Sequence, residues 1–341
     1  MNSKVIKYVA GGGKTTYSRE LLKNNPRGLY LTYNNSVKDD LLGEGYLAMT
    51  LDSFLTGFII PKAISKIPLI PDGVSIVLNE NKGFKSGSKN VSIREDGSLY
   101  NRSRHINDVS LNTQYEDFVR MSHFTNKDFL RIIFQPDKLN IGHGQRDGLA
   151  NFIIANHKEY IIDVVKKRFA YIIIDEAQDI KIEKEPLVEM FRGSNVPTII
   201  LGDENQNING GSEWFSKLQA TYNKNESYRC GEGVCEWIRD NLEIEIIGHS
   251  GESSYNEIKY NEALELDDGK RVLLYKAASG KQVKNILSAW RGPRSTIQTA
   301  KGRTIEEDVV IIGDSLNRRF LYTAVTRTRK AVYSTVKKIN R

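Results

Sequence analysis

Cysteine is scarce in this chain: 341 residues contain two, Cys230 and Cys235. A disulfide-stapled scaffold is excluded on that count. Two nearby thiols with no further ligands beside them do not make a zinc site either. The five histidines are scattered and suggest no metal centre. No run of about 18 apolar residues occurs, so no membrane span is expected. The N-terminus enters a strand-like segment at once, so no leader peptide is expected and the chain reads as intracellular, in a reducing compartment. Internal repeats and low-complexity stretches are also missing. The net charge is +7, a basic balance that suits a polyanionic partner without requiring one. The length suits two domains of ordinary size.

Against this plain background two segments carry chemistry. Ala170–Ile174 is a short apolar run that ends in Asp175-Glu176-Ala177-Gln178-Asp179. Such a run reads as a buried parallel strand, delivering its carboxylates to the C-terminal edge where open α/β sheets bind ligands. There Asp175 is placed to hold Mg²⁺ and Glu176 to polarise a water, as nucleotide hydrolysis requires. Near the N-terminus, the strand candidate Val5–Val9 runs into Ala10-Gly11-Gly12-Gly13-Lys14-Thr15-Thr16 and then a helix-like stretch from Tyr17 to Lys23. Consecutive glycines turn backbone N–H groups toward phosphate oxygens at a helix N-terminus. Lys14 is expected to reach the β/γ-phosphates, and the Thr15 hydroxyl to complete the Mg²⁺ shell. The full phosphate-loop pattern has glycine where this chain has Tyr8. Both segments together define a P-loop nucleotide hydrolase.

Four later segments make a resemblance specific. Gly202-Asp203-Glu204-Asn205-Gln206, Ser227-Tyr228-Arg229, Thr296-Ile297-Gln298-Thr299-Ala300-Lys301-Gly302 and Tyr322-Thr323-Ala324-Val325-Thr326-Arg327 resemble, in order, four elements of superfamily 1 helicases. Their wording is closest to the UvrD/Rep branch. The resemblance implies two RecA-like parallel-sheet α/β domains, at 1–222 and 223–341, with an insertion in the first at about 57–168. It implies ATP and Mg²⁺ as cofactors, held by Ala10 to Thr16, Tyr228, Gly302 and Asp175. Gln206 would sense the γ-phosphate, and Arg229 and Arg327 would stabilise transition-state charge. Leu29–Asn34 and Thr50–Phe54 resemble the strand-contacting elements. They make Thr32, Tyr33, Asn34, Thr50, Phe54, Trp214 and Thr296 candidates for single-stranded nucleic acid, DNA rather than RNA.

Departures are also informative. Asp52 replaces the usual histidine, Thr16 the usual arginine, and Thr304 the usual glutamate. No adenine-reading glutamine element precedes the P-loop. Only 67 positions separate Arg229 from Thr296, too few for the large accessory domain of bigger relatives. A polar β-hairpin across Val74–Leu78 and Asn90–Arg94, followed by largely helical sequence over 113–168, is expected instead and would offer the duplex-splitting surface. The reading is a 3′ to 5′ translocase with replication or repair partners. The alternative is a nucleic-acid-stimulated ATPase that loads or remodels a protein complex.

Overall fold

The computed structural model describes residues 3–63, 75–78, 89–93, 99–100, 130–135, 138–141, 143–277 and 280–340. Compactness divides the chain into two units, and not at the expected 222/223 boundary. One unit comprises 49–171 and 183–197 with the first two residues; the other comprises 3–48, 172–182 and 198–341.

The second unit holds two large sheets and two small two-stranded ones. In the first, Ser3–Tyr8 lies parallel to Thr198–Gly202 on one side and Tyr222–Lys224 on the other. Tyr171–Ile174 follows beyond Thr198–Gly202, and Gly28–Thr32 beyond that. Residues 171–174 and 28–32 are buried throughout, as expected where both faces of a parallel sheet are covered. The second sheet is ordered Tyr255–Glu257, Val332–Ser334, Val309–Ile312, Val272–Tyr275, Arg294–Thr296 and is parallel throughout. Alternation along Val309–Ile312 explains its two cores. Val309 and Ile311 pack with Val234, Ile238 and Leu321, while Val310 and Ile312 pack with Val283, Ile286 and Trp290. Successive side chains point to opposite faces, so helices are needed on both. The expected α/β class with parallel sheets is what the chain adopts.

The first unit differs from expectation. Its sheet is ordered Ser75–Leu78, Lys138–Ile141, Leu130–Gln135, Lys89–Ile93, Leu99–Tyr100. Ser75–Leu78 pairs in parallel with Lys138–Ile141, and Lys89–Ile93 pairs antiparallel with both Leu130–Gln135 and Leu99–Tyr100. The two expected hairpin arms are therefore separated by two strands and do not pair with each other. The helical reading of 113–168 is likewise corrected: Leu130–Gln135 and Lys138–Ile141 are strands, and His143–Arg168 is the helix. Ile132-Ile133-Phe134 is a short β-branched and aromatic run, for which periodicity cannot separate helix from strand. Residues 101–129, including Phe118, Phe124 and Phe129 of the same reading, lie outside the described residues, as do 80–88 of the hairpin.

Phe54 also belongs to this unit, and its expected role as a base stacker does not hold. It is 0% exposed, stacked on Phe58 at 5.1 Å and packed against Phe169 and Phe191. Phe54→Ala is expected to cost about 3–5 kcal/mol of stability, read as a lowered midpoint in thermal or urea unfolding. An unchanged midpoint would return Phe54 to the surface. Asp52 is likewise committed within the unit. It meets Arg146 and Lys184 at 2.9 Å each, both nearly buried, and Asp147 completes the cluster. Burial opposes its charge, but Lys184 and Arg146 hold its carboxyl below the usual range.

Candidate active site

The chemistry gathers in the second unit around a cavity of about 620 Å³, lined by Gly11 to Thr16, Glu176, Gln206, Arg229 and Arg327 among others. Its floor is the loop leaving the Ser3–Tyr8 strand. Gly11 and Gly13 have φ of 72° and 87°, a conformation that side chains rarely adopt. A Cβ on Gly11 would also come within 2.5 Å of the Arg229 Cβ, so only glycine lets the loop pass there. The helix Lys14–Asn24 follows, and no side chain caps its first turn. Its first N–H groups are therefore without a side-chain acceptor, the arrangement that binds phosphate.

The Asp-Glu pair sits where the Tyr171–Ile174 strand ends. Asp175 is buried and both its oxygens are engaged, one by the Tyr30 hydroxyl and the other by the Glu176 N–H at 2.7 Å. Burial, reinforced by Glu176, pushes its carboxyl up. Glu176 takes left-handed backbone angles, φ 54° and ψ 42°, a strained state that persists where the surroundings over-determine it. The turn brings Glu176 to 3.9 Å from Lys14. Burial opposes the Glu176 charge, but Lys14 and then Lys301 overcome it and hold the carboxyl down at about 2. Burial likewise works against the Lys14 charge, and Glu176, Asp175 and Asp203 outweigh it, leaving the ammonium above its ordinary value.

Asp203 and Gln206 follow the Thr198–Gly202 strand. The Asp203 carboxylate accepts from the Gln206 amide at 2.6 Å and from the Tyr322 hydroxyl at 3.1 Å. The Gln206 carbonyl oxygen accepts from Arg327 at 3.0 Å. Arg327 is 1% exposed and is anchored through its Nε to the Thr323 carbonyl at 2.8 Å. Burial, and then repulsion from Arg229, pulls its pKa down to about 9. Lys301 sits between Asp179, at 2.6 Å, and the Gln206 backbone carbonyl, at 2.7 Å. Five cations (Lys14, Lys224, Arg229, Arg327 and Arg329), three carboxylates (Glu20, Glu176 and Glu226) and a set of uncapped amides thus share one cavity with a positive balance. Such a place favours a bound polyphosphate.

The hard oxygens of Thr15 and Asp175 suit Mg²⁺, which takes few protein ligands beside substrate phosphates and water. The raised carboxyl of Asp175 fits as well, because a cation nearby would lower it. Among the described residues no group of three or more His, Cys, Asp or Glu is placed to hold a metal.

Ala10 and Thr32 are placed differently from expectation, and the other candidate residues fall as follows. The Ala10 N–H donates to the Tyr322 hydroxyl at 2.8 Å and is not left for phosphate. Thr32 is fully buried, its hydroxyl accepting from the Asn34 N–H, so it cannot meet a strand from outside. Asn34 lines the cavity beside Gly302. The Thr50 and Thr296 hydroxyls accept from the N–H groups of Ser53 and Thr299 as caps of short helices. Tyr33 is half-buried, its hydroxyl accepting from the Lys181 N–H. Trp214 is half-buried at the start of the helix Trp214–Lys217, beside Glu213, which pairs with Arg319 through two hydrogen bonds. Tyr228 is 55% exposed and stacks on His249 at 5.5 Å; it lines the cavity, as do Thr16 and Gly302.

Asp203, Tyr322, Lys301 and Asp179 were not singled out by sequence reasoning. Each lay inside a quoted motif, and that membership was the only available signal.

The sequence model of the UvrD/REP helicase N-terminal domain matches residues 78–210. No curated protein matches. Among solved structures, a PRRSV helicase is 14% identical, covering 98% of this chain and 52% of its own at a TM-score of 0.47. Arterivirus nonstructural protein 10, a helicase, is 13% identical, covering 97% and 59% at 0.46; its complex with DNA covers 97% and 60% at 0.44. The chain spans 52 to 60% of the length of these structures. The similarity to a named family is to the UvrD/REP helicase N-terminal domain, over residues 78–210.

Proposed function

We propose that this chain is a superfamily 1 motor of the UvrD/Rep type, built on two RecA-like sheets. It hydrolyses ATP with Mg²⁺ to move 3′ to 5′ along single-stranded DNA inside the cell. The observation that carries the reading is the convergence of Lys14, Arg229 and Arg327 with Glu176 around the uncapped Gly11–Thr16 loop. Lys14 and the loop amides would hold the β/γ-phosphates. Thr15 and Asp175 would hold Mg²⁺, which would supply charge neutralisation to the phosphates. Glu176 takes the proton of the attacking water, Gln206 senses the terminal phosphate, and Arg229 and Arg327 meet its developing charge. Replication or repair proteins are the partners this activity serves. The test is ATP turnover with and without single strands, followed by displacement of a labelled strand from duplexes tailed on either side. Turnover that no strand stimulates would overturn the motor reading.

Strand binding follows from phosphate neutralisation and base stacking, so it should be nearly independent of sequence and weaken steeply with salt. Trp214→Ala is expected to weaken binding by about 1–3 kcal/mol, measured by fluorescence anisotropy of a labelled oligonucleotide. Unchanged affinity would remove Trp214 from the interface.

A further inference from the structure

Arg229 and Arg327 are both held by neutral groups, and they differ in burial and in which side chain directs them. Lys14 faces a carboxylate, and Arg327 is tied to the Gln206 amide and the Thr323 carbonyl. The Arg229 guanidinium donates through Nε to the Thr304 hydroxyl at 2.9 Å and through Nη1 to the Thr326 carbonyl at 3.4 Å. Both acceptors are neutral. Its backbone is already fixed by the close approach to Gly11 and by the Ser227 hydroxyl, which donates to the Ala10 carbonyl and accepts from the Cys230 N–H. Of the two guanidinium bonds, the one to Thr304 is the shorter and better formed. Thr304 and Arg229 both line the cavity.

We propose that Thr304 is a positioning residue, aiming the Arg229 guanidinium at the terminal phosphate of a bound nucleoside triphosphate while itself adding no negative charge beside it. This rests on the reading of the cavity as a nucleotide site. A guanidinium on a flexible stem loses rotamer entropy when it meets a phosphate, and one well-formed hydrogen bond to Nε removes part of that loss in advance. A carboxylate at the same position would hold the arginine more tightly, through a charge-assisted pair. It would also cancel the field that the phosphate is meant to feel. A hydroxyl provides direction without neutralisation. The terminal phosphate is the part that distinguishes substrate from product, so the tether is also a means of preferring triphosphate over diphosphate.

The experiment uses the full chain with Mg²⁺, and compares the affinities of ADP and of a non-hydrolysable ATP analogue alongside ATP turnover. Thr304→Val, close in shape and lacking the hydroxyl, is expected to lower kcat about tenfold. It should reduce the preference for the analogue over ADP by a similar factor while ADP affinity stays within about twofold. Thr304→Ser should restore both values. Thr304→Glu should weaken the analogue more than ADP. In an Arg229→Ala background, Thr304→Val should add no further loss, because residues acting as one unit are not additive. An undiminished kcat in Thr304→Val overturns the proposal, as does an additive loss in the double variant. So does a fall in the melting midpoint that accounts for the lost turnover, or a Thr304→Glu variant as selective as the parent. A parent chain that binds neither nucleotide overturns the site reading itself, and the proposal with it; a parent that binds and turns over nucleotide, with Thr304→Val unaffected, overturns the proposal alone.

Discussion

Glu176→Gln is expected to bind ATP about as tightly as the parent chain and to hydrolyse it at least about a hundredfold more slowly. The amide keeps the size of the side chain but cannot accept the water's proton. The geometry adds a reason for Glu176 to become active only with nucleotide present. Before phosphate arrives, Lys14 stands 3.9 Å away and is the foremost group holding the Glu176 carboxyl down. A carboxylate held at about 2 is a weak base, since general bases work best near the operating pH. When the phosphates engage Lys14, Glu176 shares that partner and its basicity rises. Substrate binding and base activation are then one event. Single-turnover hydrolysis and equilibrium nucleotide binding, measured on the same preparation, check the expectation. Turnover within about twofold of the parent would mean that another group takes the proton.

Arg327→Ala is expected to lower kcat by about a thousandfold while ADP affinity changes by less than about threefold. Arginines that meet transition-state charge have contributed on the order of 10³–10⁵ where measured. The structure supports a reserved role for this residue. Arg327 is buried, it repels Arg229 across the same cavity, and its Nη2 is shared with Gln206. A bound terminal phosphate would relieve that repulsion, and a diphosphate would do so less. The Tyr322 hydroxyl, on the helix Arg318–Val325 just before Arg327, accepts from the Ala10 N–H and donates to Asp203. The guanidinium is therefore fixed in position relative to the P-loop through a short chain of buried bonds. Equal losses for ADP and ATP with kcat intact would identify Arg327 as a structural cation. The unfolding midpoint must be recorded beside these values, because removing a buried guanidinium leaves the Thr323 and Gln206 oxygens without their donor.

The P-loop and the Asp-Glu strand end were legible from sequence because each is a local event. A strand followed by glycines and Lys-Thr creates amides facing one point whatever packs behind them. An apolar run ending in carboxylates delivers those carboxylates to a sheet edge. The parallel α/β class was legible for the same reason, in Ile172–Ile174 and Val309–Ile312. The sheet of the first unit was not, since Ser75–Leu78 finds its partner at Lys138–Ile141, and nothing local in either run names the other.

By itself, then, the sequence determined the class of fold, the glycine-rich loop ahead of Lys14 and the residue types that gather around it. Tertiary structure decided which of those residues are free to act. Thr32 and Phe54 were expected at a nucleic-acid surface from their motifs, yet both are enclosed. Ala10 lies in the phosphate loop, yet its N–H is taken by a hydroxyl 312 positions away. Thr304 is tied to Arg229 across 75 positions. The physical reason is common to all four. Exposure, and the partner of a hydroxyl or amide, are set by whatever distant segment packs against the residue. Hydrogen bonds and burial are satisfied in space, where sequence neighbours have no special claim.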